Sequence, residues 1–77
     1  MADDDIKVVD AKGLSCPMPV LMARRAVDEV EAGHVIRIEA TDAGSKSDIP
    51  SWTTDMGYEM LASDTEGPIY TFTIRKT

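Results

Sequence analysis

One cysteine occurs in the chain, and it lies within the sequence Gly-Leu-Ser-Cys-Pro-Met-Pro at positions 13–19. The thiolate is the nucleophilic form of cysteine, and a cysteine at a helix N-terminus has a lowered pKa because the positive end of the helix dipole stabilises the anion. If a helix begins at this point, Cys16 is suited to exchange sulfur. The alternative role is that of a small apolar residue packed in the core.

Two prolines indicate where that helix begins. Proline has no N–H, and the first four N–H groups of a helix have no partner within it, so proline is tolerated at these positions. We expect Cys16 to be the N-cap residue, followed in the first turn by Pro17, Met18 and Pro19. If Ser15 were the N-cap instead, Pro19 would remove the first helical hydrogen bond. In the expected register the prolines fix the direction of the sulfur, which lies within reach of the Met18 N–H.

No second group that would assist Cys16 is evident in the sequence. His34 is the only histidine, and we interpret it as a surface residue at the start of a strand, although a Cys–His pair is geometrically possible. One cysteine and one histidine without ligand spacing do not make a metal site, so no metal is predicted. The segment 41–48 lacks the spacing of a glycine-rich phosphate-binding loop.

The composition limits the classes to which the chain can belong. It has 77 residues, 43% of them apolar, and a net charge of −6, which suits one small domain. Nucleic-acid binding requires a basic surface, so direct contact with nucleic acid is not expected. No apolar run is long enough to span a membrane, and the acidic start of the chain has no signal-peptide core. We expect a cytoplasmic domain over residues 1–77, with residues 1–5 as a disordered tail.

Hydrophobic periodicity predicts six elements in the order β-α-β-α-β-β. Alternating or β-branched residues indicate four strands, and apolar residues at three- and four-residue steps indicate two helices. The predicted strands cover 6–12, 34–40, 58–63 and 69–76, and the predicted helices cover 17–31 and 47–57. With both helices on one face of the sheet, this order gives two layers, and the other face of the sheet meets water.

The first helix is expected to bury one face. Its apolar stripe is widened by Leu21 and consists of Val20, Ala23, Val27 and Val30. Charged residues lie mostly off this stripe. Gly33 is expected to end the helix, because glycine readily adopts the left-handed conformation of a helix C-terminus.

The second helix has start and stop signals of its own. Ser47 or Asp48 is expected to cap it, Pro50 suits its first turn, and Gly57 is expected to end it. The residues expected to face inward are Ile49, Trp52 and Met56.

With the motif at 13–19 and this order of elements, the chain resembles the TusA/SirA-like family of sulfur carrier proteins. The resemblance extends from Val8 to Lys76 and includes the segments DAKGLSCPMPV, ATDAGSKSDIPSW and YTFTIRK. A Cys-Pro-X-Pro element before an amphipathic helix is the signature of that family. The resemblance implies a two-layer α/β sandwich with a mixed four-stranded sheet, and it implies that Cys16 carries a persulfide.

The resemblance also implies the partners. In that family the cysteine accepts sulfane sulfur from a donor protein, such as a cysteine desulfurase or a rhodanese-like protein, and passes it to a cysteine of an acceptor protein. The known destinations are tRNA thiouridine synthesis, molybdenum cofactor assembly and sulfur oxidation. No cofactor is implied, and a monomer is expected.

Basic residues near the motif are candidates for steering an acidic partner surface, with ordinary surface charge as the alternative. These candidates are Lys12, Arg24, Arg25 and Lys46. Asp42 and Asp48 match acidic positions of the family, but we assign them no chemical role. Some members have another cysteine in the second helix, and its absence here weakens the case for an internal resolving thiol.

Two other functions remain open from the residues alone. In one, the chain is a regulatory or interaction module in which Cys16 only packs. In the other, it is a redox sensor whose thiol is oxidised to sulfenic acid. A sulfur adduct, a thiol that resists alkylation, or an oxygen adduct would distinguish the carrier, the module and the sensor.

Overall fold

The computed structural model describes residues 6–15 and 17–77. The predicted tail over residues 1–5 and the predicted capping residue Cys16 lie outside the described residues. The elements follow the predicted order β-α-β-α-β-β. They are β1 (Ile6–Ala11), α1 (Met18–Asp28), β2 (Val35–Ala40), α2 (Ser45–Met56), β3 (Glu59–Glu66) and β4 (Ile69–Arg75).

The four strands form one mixed sheet in the order β1-β2-β4-β3. β1 and β2 are parallel, with Ile6 opposite Val35 and Ala11 opposite Ala40, whereas β4 is antiparallel to both of its neighbours. Because β1 and β2 are parallel, they end at the same edge of the sheet, here called the carboxyl edge, and each is followed there by a helix. The predicted mixed four-stranded sheet is confirmed.

Both helices pack on one face of the sheet and contact each other, which confirms the two-layer α/β sandwich. Strand residues alternate between this face and the opposite one, here called the open face. The buried core contributed by the sheet consists of Val9, Ala11, Ile36, Ile38, Ala40, Phe72 and Ile74. The helices close it with Ala23, Ala26, Val27 and Ile49. None of the helices in the described part of the chain has the length and apolar character that a membrane crossing requires.

The predicted start of α1 is wrong by one residue. Pro17, with φ −96° and ψ 12°, occupies the N-cap position, and the helix begins at Met18. The Met18 N–H donates to the Ser15 carbonyl over 2.9 Å, and the Leu21 N–H makes the first helical bond, to the Pro17 carbonyl over 3.1 Å. Pro19 is then the second helical residue, where its missing N–H still costs nothing.

The predicted end of α1 is also wrong, because the helix stops at Asp28. The Lys76 ammonium donates to the carbonyls of Val27 over 2.9 Å and of Val30 over 2.8 Å. A cation at this end both satisfies unpaired carbonyls and complements the helix dipole. Gly33, with φ +94°, lies instead in the turn before β2, where its N–H donates to the Lys76 carbonyl.

α2 begins two residues earlier than predicted, with Gly44 as the N-cap. The N–H groups of Ser45 and Lys46 donate to backbone carbonyls of residues 42 and 43, over 3.0 and 3.2 Å, so backbone bonds replace the expected side-chain cap. Pro50 therefore lies inside the helix and not in its first turn. Gly57 ends the helix as predicted, with φ +77°.

The inward face of α2 differs from the prediction at one position. Ile49 is buried and Trp52 packs against the core, but Met56 is 48% exposed. Thr53 is buried in its place, and its hydroxyl donates to the Ile49 carbonyl over 2.7 Å. The hydroxyl can face the core because a threonine in a helix bonds the carbonyl four residues earlier.

β3 is longer than predicted and the hairpin turn is correspondingly shorter. β3 continues to Glu66, opposite Ile69, so that only Gly67 and Pro68 connect the two strands. Gly67 has φ +58°, as a two-residue hairpin turn requires. A register shift between Met60 and Ala62 marks a bulge in this edge strand.

Replacing Lys76 with methionine tests how the end of α1 is held. Lys76→Met keeps most of the side chain but removes two hydrogen bonds to carbonyls, so the free energy of unfolding should fall by about 1–2 kcal/mol. The measurement is urea denaturation followed by circular dichroism. Arg75→Met is the matched control, because among the described residues the ion pair of Arg75 is with the exposed Glu59 carboxylate, over 3.3 Å, and such pairs contribute little. Equal losses in the two variants would contradict this account.

Candidate functional site

The candidate site is the β1–α1 loop, residues 12–17, at the carboxyl edge. It follows β1 directly and leads into α1. The side chains of Ser15 and Pro17, on either side of Cys16, are both exposed, and Met18 is 42% exposed. The described neighbours of Cys16 in the sequence therefore lie at the protein surface.

Two hydrogen bonds, a glycine conformation and a buried proline fix the course of this loop. The Gly13 N–H donates to the Thr41 hydroxyl over 2.9 Å, and the Leu14 N–H donates to the Ala11 carbonyl over 3.3 Å. Gly13 has φ +82°, a conformation that favours glycine. At the other end, the side chain of Pro19 is fully buried. The loop is thus anchored on both sides of the cysteine.

Thr41 was not identified from the sequence, although a signal for it exists. It is the first residue after β2. In a parallel pair, the residue that follows the second strand must lie close to the loop that follows the first. A hydroxyl at that position can accept the loop N–H that the turn leaves unpaired.

The N-terminus of α1 has the polarity that favours an anion. No acidic residue lies in its first turn, so no carboxylate there offsets the positive end of the helix dipole. The Met18 N–H, which we expected near the sulfur, is already bonded to the Ser15 carbonyl. The Met18 N–H is therefore not free, whereas no carboxylate offsets the dipole of α1 at this end.

Lys12 joins two carboxylates beside the loop. Its ammonium lies 2.9 Å from Glu39 Oε1 and 3.1 Å from Asp10 Oδ1, and its backbone N–H donates to Asp10 Oδ1 over 3.1 Å. The hydrogen bonds to Glu39 and Asp10 raise the pKa of Lys12. The backbone N–H and the ammonium of Lys12 lower the pKa of Asp10. Lys12 therefore neutralises nearby carboxylates and is not a free cation.

The other three basic candidates lie on the helices. Lys46, in the first turn of α2 at the carboxyl edge, has its ammonium 5.7 Å from the centre of the Tyr70 ring, a distance that allows a cation–π interaction. Arg24 and Arg25 are exposed on α1. Neither arginine forms an ion pair with any residue that the structure describes.

Leu21 is, like Met56, an apolar residue whose place the sequence analysis misjudged. It is 42% exposed, because helical geometry places it on the side of α1 opposite the buried residues Ala23 and Val27. It lies one turn after Met18, and the two arginines follow it at three and four residues. Met18 and Leu21 therefore form an exposed apolar pair on the helix that follows the cysteine.

His34 is far from the candidate site. It precedes β2, at the opposite end of the sheet from the β1–α1 loop, so the length of six extended residues, about 20 Å, separates them. Its Nδ1 lies 3.2 Å from the Glu31 carbonyl. Within the described ranges, no group of three His, Cys, Asp or Glu side chains is arranged to hold a metal ion.

The coupling between Lys12 and Asp10 predicts a pH effect. Because the pKa of Asp10 is lowered in the folded protein, its contribution to stability is present above the unfolded pKa and is lost as the pH falls through the folded pKa. In Lys12→Met the Asp10 pKa should rise towards its usual value, but only in part, because the backbone N–H remains. Carboxyl-carbon NMR titration measures this, with Arg24→Met as the control. An Asp10 pKa that is the same in all three proteins would contradict the assignment.

Comparison with known proteins supports one family. A family model described as Sulfurtransferase TusA matches residues 7–76. YrkI of Bacillus subtilis is 43% identical over 70 residues, which cover 91% of this chain and 93% of that protein. Sulfur carrier protein TusA of Allochromatium vinosum is 38% identical over 77 residues, the full length of both chains.

A solved structure agrees with the fold. The crystal structure of the SirA-like protein from Desulfitobacterium hafniense matches with a TM-score of 0.78 at 30% identity, covering 91% of this chain and 95% of that one. The family model and the similarity to YrkI and TusA cover almost the whole described chain, including the β1–α1 loop. The resemblance inferred from the motif is thus confirmed, and the chain belongs to the TusA family of sulfur carriers.

Proposed function

We propose that this sulfur carrier holds sulfur on Cys16 as a persulfide and relays it between two proteins. The observation that carries this proposal is that Cys16 is the only cysteine in the 77 residues. Sulfur bound covalently through a thiol has no other place on this chain. The surface position of the residues on both sides, together with the dipole of α1, supports a thiolate that other proteins can reach.

The relay needs two exchange steps and no oxidant. The Cys16 thiolate attacks the outer sulfur of a donor persulfide, a new S–S bond forms, and the donor cysteine leaves as a thiolate. An acceptor thiolate then attacks the outer sulfur on Cys16, which regenerates the Cys16 thiolate. Each step breaks one S–S bond and forms another, so its rate depends on the pKa values of the attacking and leaving thiols.

The docking surface proposed for both partners is the exposed part of α1 after the cysteine, here called the carrier surface. It comprises Met18, Leu21, Arg24 and Arg25. Its apolar centre is exposed, and arginines flank it at helical spacing. Arginine and large apolar side chains contribute strongly to protein interfaces, and flexible methionine adapts to more than one partner. Arginines also steer an acidic partner.

Lys46 and Lys12 have different roles in this proposal. Lys46 is exposed at the carboxyl edge and extends the basic surface on the side of α2. Lys12 offsets the charges of Asp10 and Glu39, which would otherwise repel an anionic persulfide in the adjacent loop. The donor is a cysteine desulfurase or a rhodanese-like protein, and the acceptor presents a cysteine. A carrier that depends on a reduced thiol suits the cytoplasm.

Sulfur loading tests the role of Cys16. After incubation with a cysteine desulfurase and cysteine, the intact mass of the wild-type protein should increase by one sulfur atom, and a reductant should reverse the gain. Cys16→Ser should show no gain, because no thiol remains. A wild-type protein that gains oxygen but never sulfur would instead indicate a redox sensor, and one that gains neither while resisting alkylation would indicate an interaction module.

A second experiment tests the carrier surface. Leu21→Glu places a charge in the apolar centre, and the rate of sulfur transfer from the desulfurase should fall about tenfold or more. Met56→Glu is the matched control, because Met56 is similarly exposed but lies at the end of α2. Both changes are at exposed positions, so the free energy of unfolding should change by less than about 0.5 kcal/mol.

The reaction with a small persulfide completes this test. Glutathione persulfide needs no protein docking, so it should load wild-type protein and Leu21→Glu at equal rates. If Met56→Glu slows transfer from the desulfurase as much as Leu21→Glu does, the carrier surface is wrongly placed.

A further inference from the structure

β1 has one edge that pairs with nothing in the described part of the chain. It is the first strand in the sheet order, so only its inner edge is bonded, to β2. In a parallel pair, alternate residues direct their N–H and C=O groups to opposite sides. β-α-β units adopt a right-handed crossover. With this handedness, the residues of β1 whose N–H and C=O groups point away from β2 are Ile6, Val8 and Asp10.

The outward-directed residues also carry the most exposed large apolar side chain. Val8 is 57% exposed on the open face, more than Met18, Leu21 or Leu61. Ile6 and its register partner Val35 are half-buried on the same face. An exposed valine between unpaired backbone groups is a feature that edge strands normally avoid, because it favours pairing with another strand.

A groove on the helical side runs along this edge. Its volume is about 240 Å³, and its walls are residues 7–10 of β1 together with Met22, Arg25, Ala26 and Glu29 of α1. A lysine on an edge strand commonly prevents pairing with another strand. The Lys7 side chain instead points to α1, where its ammonium lies 3.1 Å from Glu29 Oε1. Among the described residues, the Lys7 side chain therefore does not cover this edge.

We propose that this edge, here called the β1 edge, pairs with the β1 edge of a second copy of the chain. The two β1 strands are antiparallel about a two-fold axis at Val8, so that Val8 of one copy lies opposite Val8 of the other. Ile6 of each copy then lies opposite Asp10 of the other. This register uses all outward-directed groups and makes about six hydrogen bonds.

The spacing of the helices fits this arrangement. α1 packs over β1 and β2, so in the paired sheet the two α1 helices are separated by two strand spacings, about 10 Å. This is the distance at which helices pack directly against each other, about 8–10 Å. The two grooves merge, and each is filled by side chains of the other copy. Ala26, a small residue at the groove, permits the close approach.

The charge of the edge is also compatible with a second copy. The whole chain has a net charge of −6, which opposes self-association in general. The groove is balanced, since Lys7 and Arg25 match Asp10 and Glu29. In a two-fold interface the same patch of each copy faces the other copy. Only a patch that carries both positive and negative charges then avoids repulsion.

The arrangement leaves sulfur transfer unhindered. The α1 helices of the two copies are antiparallel, so their β1–α1 loops lie at opposite ends of the pair. Leu21 and Arg24 face away from the β1 edge, because helical geometry separates them from Met22 and Ala26. Arg25 instead lines the groove, so the part of the carrier surface that stays accessible in the pair is that of Met18, Leu21 and Arg24. Each copy can therefore meet a partner while paired.

Sedimentation tests the pairing in Cys16→Ser, in which no disulfide can form between copies. Analytical ultracentrifugation at micromolar to millimolar concentrations should show a monomer–dimer equilibrium. Val8→Lys should raise the dimer dissociation constant about tenfold or more, because like charges would lie directly opposite. Leu61→Lys is the matched control, since Leu61 is an exposed apolar residue on β3 at the other side of the sheet, and it should leave the constant unchanged.

Cross-linking tests the register. With Cys16→Ser as background, Val8→Cys should be linked into a dimer by a short bis-maleimide, and Leu61→Cys should not. A protein that stays monomeric throughout the concentration range would overturn the proposal. So would equal weakening by Val8→Lys and Leu61→Lys. If the protein is a monomer and Val8→Lys with Cys16 intact slows sulfur transfer, the edge would be assigned to a strand of a partner protein instead.

Discussion

The parallel pairing of β1 with β2 is the constraint on which the rest of the structure depends. Parallel strands end together, so the β1–α1 loop and the β2–α2 connection lie side by side at the carboxyl edge. The Gly13 N–H reaches the Thr41 hydroxyl for this reason. The register that places Asp10 opposite Glu39 also gives Lys12 two carboxylates to bridge. Without this pairing, the motif would be a flexible segment between two unrelated elements.

The sequence predicts the order of elements well because hydrophobic period is a local property. Apolar residues alternate along a strand and recur every three or four residues along a helix. Both patterns can be recognised in the sequence without knowledge of the fold. The helix ends were predicted poorly because groups outside the hydrophobic pattern decide them. The Lys76 ammonium, near the end of β4, donates to the last carbonyls of α1. Backbone hydrogen bonds to the carbonyls of residues 42–44 begin α2 without a side-chain cap. The contacts of Lys76 do not exist until the sheet has formed, whereas the bonds at the start of α2 are local backbone bonds that a hydropathy pattern does not reveal.

The same distinction applies to the candidate site. Cys16, Pro17, Met18 and Pro19 were identified because their types and spacing carry the chemistry within one short segment. The ion pairs of Lys12 depend on strand register, and the exposure of Leu21 depends on which side of α1 faces the sheet. A hydropathy pattern alone counts Leu21 as core, whereas its angular position on the helix places it among the surface residues. Of the four candidate cations, the structure shows Lys12 engaged by two carboxylates, Lys46 near the Tyr70 ring, and both arginines exposed.

The bond between Gly13 and Thr41 joins two parts of the chain that would otherwise act separately. Thr41 opens the connection to α2, and the same connection supplies the carbonyls that hold the first turn of that helix. A displacement of the beginning of α2 would therefore be transmitted to the cysteine-bearing loop through the hydrogen bond between the Gly13 N–H and the Thr41 hydroxyl. The position of the β1–α1 loop is thus linked to the start of α2, which lies outside the carrier surface.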